Sequence, residues 1–234
     1  WVTCTQGSRF EKDIVTLLDI PKEKLYNLPI GIASIDEILS RPFITDEQAK
    51  RVWGFEGKYV IVIGYNGSPA HNHIKVIKSL VFMKKQLPTN TILVCPMTYG
   101  GNPVYRKKIK RLLWNSQFEN QILENYLTAE ELVCLRKATD LFIHAQNTDA
   151  NSGTIAEYLL CRKKIVNPTW ITYPHYETYG SPFYSFSNFE ELPQAIMKAI
   201  NDTSNKVSPL LTGNISESGW SKLACKWVEL YKKY

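Results

Sequence analysis

The chain has 234 residues, 44% of them hydrophobic and 21% charged, which is ordinary for a soluble globular domain with a sizeable core. Its net charge of +6 suits a partner that carries phosphates, a nucleic acid or an acidic membrane surface, and does not choose among them. No apolar run approaches the roughly 18 residues of a membrane span, and the odd count of five scattered cysteines argues against a disulfide framework or a zinc site.

A reducing, cytosolic setting fits that cysteine usage. Cys95 and Cys134 sit in apolar runs and read as buried core. The chain starts at Trp1, which points to a fragment or a processed chain, and Trp1–Arg9 lacks the apolar centre of a secretory signal.

In chain order, an introductory piece spans residues 1–58. It holds a strand near Val2–Thr5, a helix near Arg9–Leu18, a strand near Lys24–Leu28 and a helix over Asp46–Trp53. Gly54–Lys58 is the most plausible hinge, without the composition of a true linker. Val60–Ile63 is a continuous apolar run, as expected of a strand covered on both faces. Asn72–Lys85 follows with helical spacing, then a strand at Thr91–Cys95, a helix at Val104–Trp114 and a short strand at Gln121–Glu124. Thr128 with Glu131 three residues on forms a capping box for a helix to Lys137. A strand at Leu141–His144, a helix at Ser152–Cys161 and a strand at Lys164–Asn167 complete the alternation, followed by helices at Asn188–Ile200 and Ser218–Tyr231. Strands alternating with helices mean βαβ units and a parallel sheet. The expected fold is therefore α/β: a Rossmann-like parallel sheet flanked by helices. We expect one domain, with the core sheet over 59–200 and a terminal helix within 201–234.

Ligands of open parallel sheets bind beyond the carboxyl ends of the strands. Three post-strand loops are rich in small polar residues. The first holds Gly64, Asn66, Gly67 and Ser68; its glycines allow close backbone approach to a bound group. It is neither a P-loop nor the dinucleotide fingerprint, and an ordinary βα turn would look alike. The second, Pro96–Asn102, carries Tyr99 and two glycines and suits a lip over a ligand, or a plain turn. The third runs through Asp149, Asn151, Ser152, Gly153, Thr154 and Glu157. Small polar residues at a helix start offer free N–H groups to a diphosphate. Glu157, one turn in, could accept two hydrogen bonds from a ribose diol. A merely capped helix with an acidic first turn would read the same way.

His71 and His73 are weak as a metal pair, because no acidic or cysteine partner stands nearby; no metal and no cofactor are expected. His73, near a helix start, is a candidate cation or donor to a phosphate. Arg106, Lys107, Lys108, Lys110 and Arg111 form the densest basic cluster. It reads first as a solvated helix face, with anionic lipid or nucleic acid as functional alternatives. No nucleic-acid motif accompanies it, so no nucleic-acid partner is expected. Trp220, Leu223, Trp227, Leu230 and Tyr231 form an apolar stripe that reads as packing onto the domain.

The stretch Ile20–Ile32, with Pro29-Ile30-Gly31-Ile32, resembles the crossover into the C-terminal domain of group-one GT-B glycosyltransferases. Asp149 and Glu157, with seven residues between them, resemble that group's E-x7-E pattern with Asp in first place. The resemblance implies a nucleotide-sugar-binding half, with Asp149 near the donor sugar and Glu157 near the ribose. The group usually carries an Arg and a Lys around the first loop, and Gly64–His73 has neither. That loop, Pro96–Asn102 and Gly153-Thr154 instead resemble the Fuc4NAc transferases of enterobacterial common antigen, whose motif does not demand an acid at 157.

The implied activity is transfer of a sugar from a nucleoside diphosphate sugar to a saccharide or lipid-linked acceptor, in surface polysaccharide synthesis. Asp149, Glu157 and His73 would be the catalytic set. The acceptor would be held by an N-terminal domain that this chain lacks, so the fragment alone would be inactive. The expected location is cytoplasmic, with peripheral association at the inner face of a membrane as a further reading. A nucleotide-sugar epimerase and a non-catalytic scaffold on the same fold are the rivals.

Overall fold

A computed structural model of the chain describes residues 2–4, 15–149 and 152–233. Two parallel sheets are present among them. The small one pairs β1 (Val2–Cys4) with β2 (Leu25–Asn27). The large one contains β3 (Tyr59–Ile63), β4 (Thr91–Pro96), β5 (Glu119–Leu123), β6 (Leu141–Ile143), β7 (Lys164–Pro168) and β8 (Phe183–Phe186). Its order is β5-β4-β3-β6-β7-β8, and every pairing is parallel. The strand order reverses direction between β3 and β6. That is the switch point at which a doubly wound sheet opens a crevice.

The helices are α1 (Ala33–Leu39), α2 (Asp46–Trp53), α3 (His73–Phe82), α4 (Pro103–Asn115) and α5 (Ala129–Ala138), then α6 (Gly153–Leu160), α7 (Pro174–Glu177), α8 (Leu192–Asn201), α9 (Pro209–Ser216) and α10 (Trp220–Tyr231). Strand residues alternate between two cores. Val60, Val62, Val94, Phe142 and Ile165 point to one, where α1, α2, α5, α6 and α9 pack. Ile61, Ile63, Leu93, Ile143 and Val166 point to the other, under α3, α4 and α8. Residues 60–63 of β3 have no solvent exposure, so their continuous apolar run is the mark of a strand covered on both faces. The expected α/β architecture with a parallel sheet between helices is present.

The capping box at Thr128 and Glu131 starts α5 as expected, and a second one at Thr45 and Gln48 starts α2. Cys95 and Cys134 are buried. Four elements were not foreseen. α1 lacks a side-chain cap and follows the Pro29–Ile32 crossover directly. β8 and α7 lie in the aromatic-rich stretch after Pro168. α9 carries Gly213 in its interior, which weakens its sequence signal. The helix expected from Asn188 begins only at Leu192, because Asn188–Glu191 forms a turn held by Asn188 and Glu191. Of the helix expected over Arg9–Leu18, residues 15–18 are helical and 9–14 lie outside the described residues, as does Thr5 of the first strand.

The terminal stripe packs back onto the crossover. Leu223 and Leu230 are buried, and Trp227 Nε1 donates to the Pro29 carbonyl over 2.9 Å. A β-carbon on Gly31 would come within 2.5 Å of the Trp220 ring, so this glycine is needed for close approach of α10. Trp220 and Tyr231 remain partly exposed.

Candidate functional site

The carboxyl edge of the sheet gathers all three loops singled out from the sequence. Asn72 ties the first to the third. Its Nδ2 donates to the Ala145 carbonyl over 2.8 Å and to Asn147 Oδ1 over 2.7 Å, and the Asn147 N–H donates to the Ala70 carbonyl over 2.9 Å. Asn72 adopts φ +54°, a left-handed conformation that Asn tolerates better than most residues.

The first and second loops close on each other. The Gly67 N–H donates to the Tyr99 carbonyl over 2.7 Å. A β-carbon on Gly101 would lie 2.1 Å from the Gly67 carbonyl oxygen, and one on Gly67 would lie 2.7 Å from the Gly100 oxygen. The glycines of the first loop were expected to admit a ligand. Here Gly67 admits the neighbouring loop, and its N–H is already committed. Asn66 is buried and its Oδ1 accepts from the Ser68 N–H, while the Ser68 hydroxyl caps the 3-10 turn Pro69–His71. Gly64 has φ +62° and lies against the rings of His71 and His73.

A hollow of about 230 Å³ opens between the second loop and the start of α6. Tyr99 and Tyr126 stack on one wall, with ring centroids 6.1 Å apart and planes 8° from parallel. Thr154, Glu157 and Arg136 form another wall, and Tyr65 a third. Two larger hollows hold none of the candidate residues. One lies between α2 and α5; the other lies at the amino ends of β4 and β5, the wrong edge for a parallel-sheet ligand.

Ser152 is the N-cap of α6 but makes no capping bond with its side chain. The N–H groups of Gly153 and Thr154 have no backbone partner among the described residues, as a helix start requires of an anion site. Asn151 lies outside the described residues. Glu157 is buried. It accepts from Ser34 Oγ through one oxygen and from Arg136 Nε, over 2.7 Å, through the other. Arg136 also donates to the Tyr158 hydroxyl over 3.1 Å and lies over that ring. Burial works against the Arg136 charge, but Tyr158 and Glu157 outweigh it and hold the guanidinium above its usual range. A carboxylate offers about four acceptor positions, so Glu157 keeps capacity for a ligand hydroxyl beside these two partners.

Asp149 sits at the mouth of the third loop. It accepts from the Tyr173 hydroxyl over 2.8 Å and lies 3.3 Å from His144 Nε2. Asn167 Nδ2 donates to two carbonyls, which turns its Oδ1 to His144 Nδ1 at 2.9 Å and calls for a proton there. His144 Nε2 also lies 3.3 Å from Gln146 Oε1.

His73 does not suit the cationic role expected of it. It is wholly buried, its Nδ1 is 3.2 Å from the Tyr105 hydroxyl, and burial lowers its pKa to about 4. At pH 7 it is neutral and can act only as a hydrogen-bonding group. His71 is held down further, to about 3, by burial and by His73 and His144, and neither of its ring nitrogens has a partner among the described residues.

No protein-family model matches the chain, and no curated protein sequence matches it. Solved structures do superpose on it. A glycosyltransferase from Rickettsia africae ESF-5 covers 96% of this chain with 61% of its own, at a TM-score of 0.72 and 16% identity. The fold is GT-B-like. HepE of Anabaena, solved with UDP-glucose, covers 98% with 63% of its own, at 0.71 and 15%. The C-terminal domain of a group 1 family glycosyl transferase (LpcC) from Francisella tularensis covers 78% with 93% of its own, at 0.56 and 12%. The chain thus spans about three-fifths of the first two structures and is consistent with the C-terminal-like domain alone.

Two residues that line the candidate hollow, Arg136 and Tyr126, and a third beside it, Arg106, are not singled out by the sequence as candidates. Arg136 follows Leu132 and Val133 at helical spacing, so a cation on an apolar helix face was its available signal. Tyr126 had no signal, since its pairing with Tyr99 is formed only when β4 and β5 stand side by side. Arg106 was read within a solvated cluster. Its half-buried side chain instead folds back on the second loop, donating to the Gly100 carbonyl over 2.7 and 3.0 Å, and lies 3.3 Å from the β-carbon position of Gly67.

Proposed function

We propose that the chain is the donor-binding half of a glycosyltransferase that moves a sugar from a nucleoside diphosphate to a saccharide or lipid-linked acceptor. The observation that carries this reading is the hollow between the Tyr99–Tyr126 stack and the start of α6. Aromatic faces suit a nucleobase. Glu157 and Thr154 suit the ribose. The N–H groups of Gly153 and Thr154, without a backbone partner among the described residues, and the positive end of α6 suit the diphosphate. The likeness in fold to a protein solved with UDP-glucose supports the same reading.

In the transfer, the bond from the anomeric carbon to the diphosphate oxygen breaks, and the electron pair leaves with the diphosphate. The acceptor oxygen bonds to that carbon and loses its proton to a base outside this chain. Negative charge then grows on the leaving oxygen. Fixed donors aimed at such a charge supply a large share of catalysis. Ser152, Gly153 and Thr154 are the donors on one side. Arg106 is the cation we assign opposite, in place of the Arg and Lys that the first loop lacks. Asp149 would face the donor sugar. Gly64, Asn66, Gly67 and Ser68 act as the frame that holds the second loop. His73 and His71 are neutral supports of that frame.

Calorimetry with UDP, dTDP and GDP compounds tests the reading. One base should bind selectively, and Tyr99→Ala with Tyr126→Ala should weaken it by roughly tenfold or more, as expected for lost base stacking. Glu157→Gln should weaken the diphosphate nucleoside more than the free diphosphate. Absence of binding by all three nucleotides would refute a donor site.

A further inference from the structure

Charge is distributed unevenly along this chain. Between residues 57 and 118 stand ten of the 28 Lys and Arg and none of the 22 Asp and Glu. That stretch carries +10, and the remainder of the chain −4. It forms β3, α3, β4 and α4, and the two helices lie side by side on one face of the sheet.

Solvated helices normally intersperse both signs and support each other through pairs at three or four residues. α4 holds five cations and no acid. Val104, Lys107, Lys108, Arg111 and Trp114 recur at spacings of three and four on the side opposite the buried Ile109 and Leu113. Lys75, Lys78 and Phe82 do the same on α3, opposite Val76, Ile77 and Leu80. Lys78, Lys85, Lys107, Lys108 and Arg111 have no ion-pair partner among the described residues. Among these free cations stand large apolar side chains in water: Trp114 at 84% exposure, Phe82 at 82% and Val104 at 78%.

We infer that the outer face of α3 and α4 docks on an anionic lipid bilayer. Lysine and arginine reach phosphate headgroups while their stems and the apolar side chains enter the acyl boundary. Each cation at such a surface contributes, and two kinds of attraction together give stable binding. A nucleic acid would take the cations and could stack on Trp114, but the aliphatic Val81 and Val104 gain nothing from it. The inference does not depend on the nucleotide site and holds or falls without it.

Vesicle co-sedimentation of the whole chain tests it, with phosphatidylcholine alone and with about a third phosphatidylglycerol. The chain should sediment with the anionic vesicles, not the neutral ones, and should be released by high salt. Lys107→Glu, Lys108→Glu and Arg111→Glu together should lower partitioning at least tenfold. Phe82→Ser with Trp114→Ser should lower it several-fold at unchanged charge. The exposed Lys226, Lys232 and Lys233 on and after α10 provide the control. Reversing all three changes net charge by the same amount and should leave partitioning within about twofold. Circular dichroism confirms that each variant is folded; every changed side chain is exposed. No sedimentation with anionic vesicles, or equal loss in the control, overturns the inference. So does binding unaffected by the Phe82 and Trp114 changes, or an oligonucleotide that binds where vesicles do not.

Discussion

Around α2, α5 and α6 most basic side chains are tied to partners, whereas along α3 and α4 Lys78, Lys107, Lys108 and Arg111 point to water. Lys50 bonds Asp140 over 2.7 Å, Lys163 bonds Asp46 over 2.6 Å and Arg136 bonds Glu157 over 2.7 Å. Lys137 donates to the carbonyls of Arg41 and Ile44. The Lys50, Lys163 and Lys137 links join segments far apart in the sequence and the Arg136 link joins the successive helices α5 and α6; together they hold the floor of the candidate hollow. On the other face the sheet is covered by helices that pack mainly through apolar contacts; Lys110 is held by Glu124 over 2.7 Å and Arg106 by the Gly100 carbonyl, while Lys78, Lys107, Lys108 and Arg111 remain available to something outside the chain. The same residue type therefore does different work on the two faces, according to whether an acid lies within reach after folding.

The largest test breaks the tied side. Arg136→Met leaves Glu157 buried without its counter-charge and should cost about 3–5 kcal/mol of stability. Adding Glu157→Leu should recover most of it. Urea denaturation reads both, and a single variant within about 1 kcal/mol of the original would show that the pair is not structural.

The next test concerns the histidines at the root of α3. In the unfolded chain they gain protons near pH 6.5, and in the folded protein only near 3 for His71 and 4 for His73. Their contribution is full above pH 6.5 and declines as the pH falls below it, by about 1.4 kcal/mol per pH unit for each. From well above pH 6.5 down to pH 5 the pair should lose roughly 4 kcal/mol. His71→Gln should halve that slope, and a slope that does not change would mean His71 is not buried neutral.

The smallest effect is expected on the free side. Reversing Lys107, Lys108 and Arg111 should alter thermal stability by no more than about 0.5 kcal/mol, as exposed charges without partners do. A larger loss would mean these cations have structural partners after all.

Much of the fold was legible because its signals are local. β3 announces itself by a continuous apolar run, and α5 by Thr128 and Glu131 three residues apart. β8 was not legible: its aromatic residues sit in a stretch dense with Tyr, Phe and Pro, where neither period stands out. The helix start at Ser152 was also local and readable. The rest of the candidate site was less so. Gly67 and Gly101 look like ligand-approach glycines, and only their mutual contact reveals that they let two loops meet.

The sequence by itself determined the parallel α/β architecture, the caps, and the position of a small polar helix start after β6. Periodicity and capping act over a few residues, so they survive without tertiary information. Tertiary structure alone decided that Glu157 is held by Arg136 and Ser34, that His73 is too buried to carry charge, and that Arg106 bonds the Gly100 carbonyl while Lys107 and Lys108 face water. Those outcomes depend on which groups meet across the fold and on how much water remains between them. Burial and pairing set both a charge's energy and its availability, and neither is a property of a residue's neighbours in the chain.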